Sequence, residues 1–266
     1  MTGKTEAASE FSLGLKIQKR ILWTLLLREI ITRYGRENLG ILWFFVEPLL
    51  FIVGISILWT YFDSRTVSTG TLAEFSIVSY PTILLWRNTT SRVTKAMYSN
   101  RPLLHHRLIK PVDFMYARII LEFASVTASF IVIYIVFLLL GISHAPADLL
   151  DMALGWLMIC WFSFGFVMIM GALSELNDAI EKVSHIILYF MLPISGILPA
   201  YIVPPSLREY LLLFPLVDCV EFFRYGYYGM KMKTYFNLEY TILVNLVLTL
   251  FSMSLMKVAI NKMQRS

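Results

Sequence analysis

The chain is predicted to be an all-α integral membrane protein: an N-terminal amphipathic interface helix, six transmembrane helices, and short re-entrant or interfacial helices before the last span. Three observations predict this. Of 266 residues, 58% are hydrophobic and 15% charged, where a soluble domain carries about 25% charged residues; mean hydropathy is +0.68. Apolar runs long enough to cross ~30 Å of hydrocarbon recur along the chain. Lysines and arginines gather in alternate connecting segments, the pattern that orients membrane proteins. Six helices of about 20 residues use nearly half the chain, which leaves too little for a soluble catalytic domain. The net charge of +5 is read through its distribution as a membrane signal, not a nucleic-acid one. Cys160 and Cys219 fall in different segments and read as inert thiols. No basic segment, apolar core and small-residue cleavage site open the sequence, so no cleaved signal peptide is expected.

Residues 1–38 form a cytoplasmic N-terminus. From Phe11 to about Thr32, Phe11, Leu15, Leu22, Leu25 and Leu26 share one face, and Lys16, Lys19, Arg20 and Thr24 the other. Such a helix suits the headgroup region of an anionic leaflet, and Thr24 and Arg28 interrupt it too early for it to span. The transmembrane domain covers 39–258. Its spans are placed at about 39–62, 72–86, 116–140, 150–173, 185–203 and 238–256. The second is the weakest, with Glu74 and Pro81 inside it. A cytoplasmic loop at 93–115 is basic and bracketed by Pro102 and Pro111. The polar stretch SELNDAIEKVS reads as a short connector. An outer region at 204–237 holds two pieces too short to span, SLREYLLLF and LVDCVEFFRYGYY, divided at Pro215. Backbone of that kind at membrane depth is buried in protein or faces water. Residues 259–266 form a cytoplasmic tail. Segments 1–38 and 87–118 carry seven Lys or Arg each, the connector one and the residues after the last span (257–266) three, against five on the other side. Both termini are therefore expected inside.

The stretch RYGRENLGILWFFVEP, Arg33 to Pro48, takes the chain from the interface helix into the first span. Glu47 beside Pro48 is a carboxylate within a span, expensive there and expected to face a bundle interior or water; kink formation at Pro48 is the plainer reading. Arg118 and Glu122 are spaced i,i+4 for a local pair. His105 and His106 are adjacent and so do not share a helical face, and His144 and His185 have no partners at metal-ligand spacing; no metal is expected. No P-loop, nucleophile–base set or paired-carboxylate motif occurs, so the chain is not expected to be catalytic. Trp43, Tyr80, Trp156, Trp161, Phe166, Tyr189 and Tyr201 lie on or near spans with polar neighbours. They read either as packing and lipid contacts or as rings on which sugars stack. The loop 100–112 reads equally as a solvated basic loop or as an amphipathic docking helix.

In the order and spacing of four features, the chain resembles the membrane subunits of type-2 ABC exporters, specifically the capsular polysaccharide permeases. These are the interface helix running into Arg33-Tyr34 and then Leu39-Gly40, Trp43 and Pro48; the stretch PTILLWRN to NRPLLHHRLIKPVDFMYAR, from Pro81 to Arg118, ending in Glu122; Pro193-Ile194-Ser195-Gly196; and Phe214-Pro215 followed by Glu221 and Arg224. Many relatives place Arg before the Asp that precedes span five, whereas Asn177 precedes Asp178 here. The resemblance implies two copies of this subunit, two copies of a separate cytosolic ATPase that binds ATP and Mg, and a lipid-linked polysaccharide as cargo. It also implies co-polymerase-type periplasmic partners and outer-membrane export proteins. The chain itself would hold no cofactor and would sit in a bacterial inner membrane. The implied polymer path runs past Trp43, Glu47, Tyr80, Trp161, Phe166, Tyr189 and Tyr201. The inner entrance would be flanked by Arg33, Tyr34, Arg36, Arg87, Arg92 and Lys95, and the ATPase would dock at Leu103, Leu104, His105, His106 and Arg107. O-antigen or teichoic acid remain as other cargos of the same class. A secondary transporter is a different class, but no inverted repeat with matched broken helices is visible.

Glu47 is expected to pack span one or line the passage, with no part in ion coupling. Glu47→Gln and Glu47→Ala should both lower polymer export in a cell-surface assay, and normal export by both would refute that role.

Overall fold

The computed structural model describes residues 2–34, 72–94 and 110–263, with isolated positions at 46, 49–50, 53–54, 57, 96 and 99–100. Among the described residues every regular element is helical. In chain order these are α1 (Thr2–Tyr34), α2 (Leu72–Val93), α3 (Pro111–Leu139), α4 (Leu149–Leu176), α5 (Asp178–Phe190), α6 (Pro205–Leu212), α7 (Pro215–Tyr228) and α8 (Leu238–Met263), with a 3-10 turn at Gly229–Lys231. Three of them, α3, α4 and α8, are long and apolar enough to cross a membrane.

Helix α4 is the centre of the bundle, packed against α2, α7 and α8. Two apolar layers run along it. At one end α1, α3, α4 and α8 meet through Leu25, Phe114, Met115, Met168, Ala172, Met256 and Ala259. In the other half α2, α3, α4 and α7 meet through Trp86, Phe130, Trp156, Ile159, Phe162, Val220 and Phe223. Rings dominate this half: Phe130 stacks on Trp156 at 5.0 Å and lies edge-on to Phe223 at 5.8 Å.

The weakly apolar α2 is one continuous helix of 22 residues that runs through Pro81. Its residues Ile77, Val78, Leu85 and Trp86 are fully buried. Because protein covers it, it needs no strongly lipid-like composition. Buried threonines on it bond to the helix's own carbonyls, Thr82 donating to Ser79 O and Thr90 to Trp86 O, and Thr94 just past its end donates to Thr90 O, the back-bonding open to Ser and Thr.

Several expected boundaries shift. Helix α1 begins at Thr2, well before Phe11. The side of α1 that packs is Gln18, Ile21, Leu25, Arg28 and Glu29, whereas Leu15 is exposed. The connector is helical on both sides of Asn177: α4 runs to Leu176 and α5 starts at Asp178. Asn177 is the cap, its side-chain oxygen accepting the Ala179 N–H at 2.9 Å, a role for which Asn is among the best residues. The segment placed as span five is helical only to Phe190; turns follow through Pro193, Gly196 and Pro199, and Gly196 takes φ +78°, a left-handed geometry that glycine adopts without strain. The two short pieces ahead of the last helix are α6 and α7, and each opens with proline at its first position, where the missing N–H costs nothing.

Helices α4 and α7 touch backbone to backbone. A Cβ on Gly226 would lie 2.2 Å from Met152 N, and one on Gly155 would lie 2.6 Å from Phe223 Cα. Gly226→Ala should therefore force the helices apart and destabilise the fold by ~1–3 kcal/mol, read as a lower unfolding midpoint of the detergent-solubilised protein. Gly14→Ala, where nothing lies within 4 Å, should leave the midpoint unchanged or raised.

Candidate functional site

Polar groups concentrate at the two ends of the bundle. At the α1 end, five helices converge on a charged junction. Glu29, buried on α1, forms an ion pair with Arg118 of α3, its Oε1 lying 2.8 Å from Nε. Arg118 also donates to Arg92 O at 3.0 Å and to Ser99 Oγ at 3.1 Å. Arg92 of α2 reaches Glu122 of α3 at 3.2 Å. Where spacing pointed to a local Arg118–Glu122 pair, each residue has a partner on another helix. Arg28 of α1 donates to Asn100 Oδ1 and lies over the Phe114 ring at 5.5 Å. Gln18 donates to Asp113 Oδ1 at 2.6 Å, and Asp113 Oδ2 accepts the Lys110 N–H at 2.9 Å. Ser174 Oγ donates to Thr94 O, and Lys262 Nζ to Leu176 O, both short links that bring the ends of α4 and α8 into the same junction.

This junction fastens both ends of one segment to α1: Asn100 is held by Arg28, and Asp113 by Gln18. Charge-assisted bonds of this kind are about twice as strong as neutral ones.

The opposite end is organised by Arg224 and Glu221 on α7, both 0% exposed. Arg224 Nη1 meets Glu221 Oε1 at 3.0 Å, Nε donates to Ser79 Oγ of α2 at 3.0 Å, and Nη2 donates to Gly196 O at 2.6 Å and Ile197 O at 3.2 Å. Its guanidinium lies over Phe75 at 4.9 Å. Glu221 in turn accepts the backbone N–H of Ala200 and of Tyr235, each at 3.2 Å. Nearby, Glu74 of α2 accepts the Tyr227 hydroxyl at 2.8 Å and lies 2.9 Å from His144 Nδ1. The carboxylate that weakened α2 as a span is thus buried against a tyrosine of α7.

The residues expected in the path and entrance are scattered over this frame. Tyr80 is half-buried on α2 and packs against the interior. Trp161 donates to Thr249 Oγ1 of α8 at 2.9 Å. Phe166 lies edge-on to Trp86 at 6.3 Å and stacks on Phe162 at 5.9 Å. Tyr201 is half-buried against the interior. Tyr189 is 62% exposed, with Arg87 over its ring at 5.1 Å. Arg92 belongs to the junction. Arg33 and Tyr34 close α1, but their side chains lie outside the described residues, as do Arg36, Trp43, Glu47, Lys95, Leu103, Leu104, His105, His106 and Arg107. Glu29 was not singled out from the sequence, and neither were the cross-helix partners of Arg118, Glu74 and Arg224. Their signal was a charged residue within or next to an apolar helix, which spacing alone does not pair.

The model of the ABC-2 type transporter family matches residues 20–228. The chain belongs to this family. Its relatives include the capsule polysaccharide export inner-membrane protein CtrC of Neisseria meningitidis serogroup B, 38% identical over 91% of this chain and 92% of that protein. The capsule polysaccharide export inner-membrane protein BexB of Haemophilus influenzae is 33% identical over 93% and 94%. The polysialic acid transport protein KpsM of Escherichia coli is 29% identical over 90% and 92%.

Removing one partner of the buried pair leaves an uncompensated charge, which costs ~3–5 kcal/mol. Arg224→Met and Glu221→Met should each lower the unfolding midpoint sharply, and the double variant should recover most of the loss. Additive losses in this double-mutant cycle would show that the pair does not act as a unit.

Proposed function

We propose that this chain is the permease subunit of an ATP-driven exporter that moves a lipid-linked capsular polysaccharide across a bacterial inner membrane, from cytoplasm to periplasm. The observation that carries the reading is the likeness, over nine-tenths of both chains, to proteins named for capsule polysaccharide export in two genera and for polysialic acid transport in a third. Two copies of the subunit flank the polymer, and two copies of a cytosolic ATPase supply ATP hydrolysis with Mg. Periplasmic and outer-membrane export proteins continue the route. Both termini are cytoplasmic.

The charged junction is the transmission of this machine. The ATPase docks on the loop with Leu103, Leu104, His105, His106 and Arg107. Its motion passes through Asn100 and Asp113 to α1 and α3, whose clamp is the Glu29–Arg118 pair. The exposed stripe Trp23, Leu27 and Ile31 on α1 supports an interface helix with its apolar side in the lipid headgroup boundary. The polymer enters past Arg33, Tyr34, Arg36, Arg87, Arg92 and Lys95 and follows Trp43, Glu47 and the aromatics placed along the path. The exposed apolar face of α5, with Val183, Ile186 and Phe190, suits contact with lipid or the second copy.

Deleting the gene should leave polymer made but trapped inside the cell; a cell that stops making polymer, or still exports it, would refute the proposal. In the complemented strain, Glu29→Arg and Arg118→Glu should each reduce export while the purified complex still hydrolyses ATP. The double charge swap should recover part of it.

A further inference from the structure

At the α1 end, the first turns of α3 and the last turns of α4 and α8 bound a furrow of about 330 Å³, at the small end of the range for ligand sites. From α8 come Met253, Met256, Lys257, Ile260 and Asn261, spaced as one face of a helix. Val112 and Tyr116 come from α3, and the buried Met168 from α4. None of these groups takes part in the junction or the polymer path.

The furrow is graded along the bundle axis. Lys262 of α8 is tied to Leu176 O at the end of α4 at 2.8 Å, so those two helix ends lie at one level, close to the start of α3. At 1.5 Å per residue, Met168 and Met253 then lie about 12–15 Å in from the ends of their helices, Lys257 and Tyr116 about 8–9 Å in, and Asn261 about 3 Å in. Apolar groups hold the deep part and polar heads the outer part. Those heads are unspent: Lys257 and Asn261 are exposed. Neither they nor the Tyr116 hydroxyl has a hydrogen-bond partner among the described residues, although the Tyr116 ring is fixed by stacking on Phe164 at 6.2 Å. The lining holds a cation and no carboxylate. Asp113, beside Val112 in the chain, is 0% exposed, and its oxygens are taken by Gln18 and the Lys110 N–H.

Size and charge together select the occupant. From Met253 to Asn261 the furrow runs about 12 Å along α8. Spread over that length, its volume is a channel of roughly 30 Å² in section, room for one hydrocarbon chain but not for a helix 10–12 Å across. Methionine is flexible and polarizable and moulds to irregular apolar surfaces, which suits an acyl chain. A free phosphate would meet Lys257 and leave the methionines unused. A lipid without net charge would cover the methionines and leave the lysine idle. An anionic phospholipid engages both, and basic pockets between helices on the cytoplasmic side are suited to such headgroups.

We propose that this furrow binds one anionic phospholipid of the inner leaflet, with an acyl chain along Met253, Met256 and Ile260 and its phosphate on Lys257, between the Tyr116 hydroxyl and the Asn261 amide. The lipid bridges α3 and α8 and secures the last helix to the bundle. The leaflet rests on the topology proposed above; the binding chemistry is independent of what the protein exports.

The test uses the full chain purified in detergent and stripped of lipid. The probes are dioleoyl phosphatidylglycerol, dioleoyl phosphatidylcholine, which has the same chains without net charge, and glycerol phosphate, the headgroup alone. Native mass spectrometry counts bound lipid, and the unfolding midpoint reads its effect. Phosphatidylglycerol should bind as a single copy and raise the midpoint, phosphatidylcholine should bind about fivefold more weakly, and glycerol phosphate should not bind. Lys257→Gln should weaken phosphatidylglycerol binding about fivefold, the effect of one basic side chain at an anionic headgroup. Lys257→Arg should preserve it, and Met253→Gln should weaken both lipids. Lys231→Gln, an exposed position at the opposite end, should bind as wild type does. Equal binding of the two lipids overturns the proposal, as does unchanged binding in both glutamine variants of the furrow. Glycerol phosphate binding as tightly as the lipid overturns it in favour of a free-anion site. Displacement of phosphatidylglycerol by a lower concentration of glycolipid from the deletion strain overturns it in favour of a cargo site. Labelling of Lys257→Cys by a membrane-impermeant maleimide in intact cells refutes the inner leaflet, and with it the topology, whereas loss of lipid selectivity refutes the site alone.

Discussion

The buried pair of Arg224 and Glu221 is the constraint on which the architecture of one end depends. A guanidinium and a carboxylate with no exposure persist only when every polar atom finds a partner, because desolvating each charge costs several kcal/mol. Here the partners come from four places in the chain: Ser79 on α2, the carbonyls of Gly196 and Ile197, and the N–H groups of Ala200 and Tyr235. Meeting those demands sets where the chain breaks after α5, why α7 lies against α2 and α4 in place of crossing the bundle, and where residue 235 must return. Non-helical backbone is tolerated at such a depth only when buried in protein with its polar groups satisfied. The ion pair supplies that satisfaction for the carbonyls of Gly196 and Ile197 and the N–H of Ala200.

The same logic at the other end has a different consequence. The junction around Glu29, Arg118, Arg92 and Glu122 is half-open: Arg92 keeps about a third of its side-chain surface exposed, while Glu122 is buried. Bonds to water compete there, so these pairs are worth less to stability than the Arg224 pair. Partly exposed pairs are easier to rearrange. A sealed pair suits a fixed cap. Between them α4 is continuous over 28 residues, with α7 fitted against Gly155 at one end and Met115 of α3 against Gly171 at the other. Close-packed helices of this kind transmit displacement because their interiors compress little.

The ABC-2 family assignment and the two polar ends are mutually consistent. A family of permeases needs a membrane frame, and the described residues supply three helices apolar enough to span one. The likeness to CtrC, BexB and KpsM extends along both layers of the bundle, since the aligned share is nine-tenths of the chain.

Much of this was legible in the residues. Composition and charge bias, which depend on transfer free energies and need no contacts, identified a helical membrane protein. Helix starts at Pro111, Pro205 and Pro215 were readable because proline lacks an N–H and loses nothing in the first turn. The order of motifs pointed to the family. Other features were out of reach. α2 read as a doubtful span because hydropathy measures fitness for lipid, whereas its neighbours are protein. Glu74 looked like a flaw until Tyr227, 153 residues away in sequence, was found to meet it. Asn177 passed for a departure from a family pattern, and its cap geometry shows why an amide serves there. Sequence by itself determined the solvent this chain lives in and the class of machine it belongs to, because those follow from sums over residues. Only the tertiary structure decided which charges face one another and where a cleft opens, because a partner distant in the chain is chosen by packing, which no local pattern encodes.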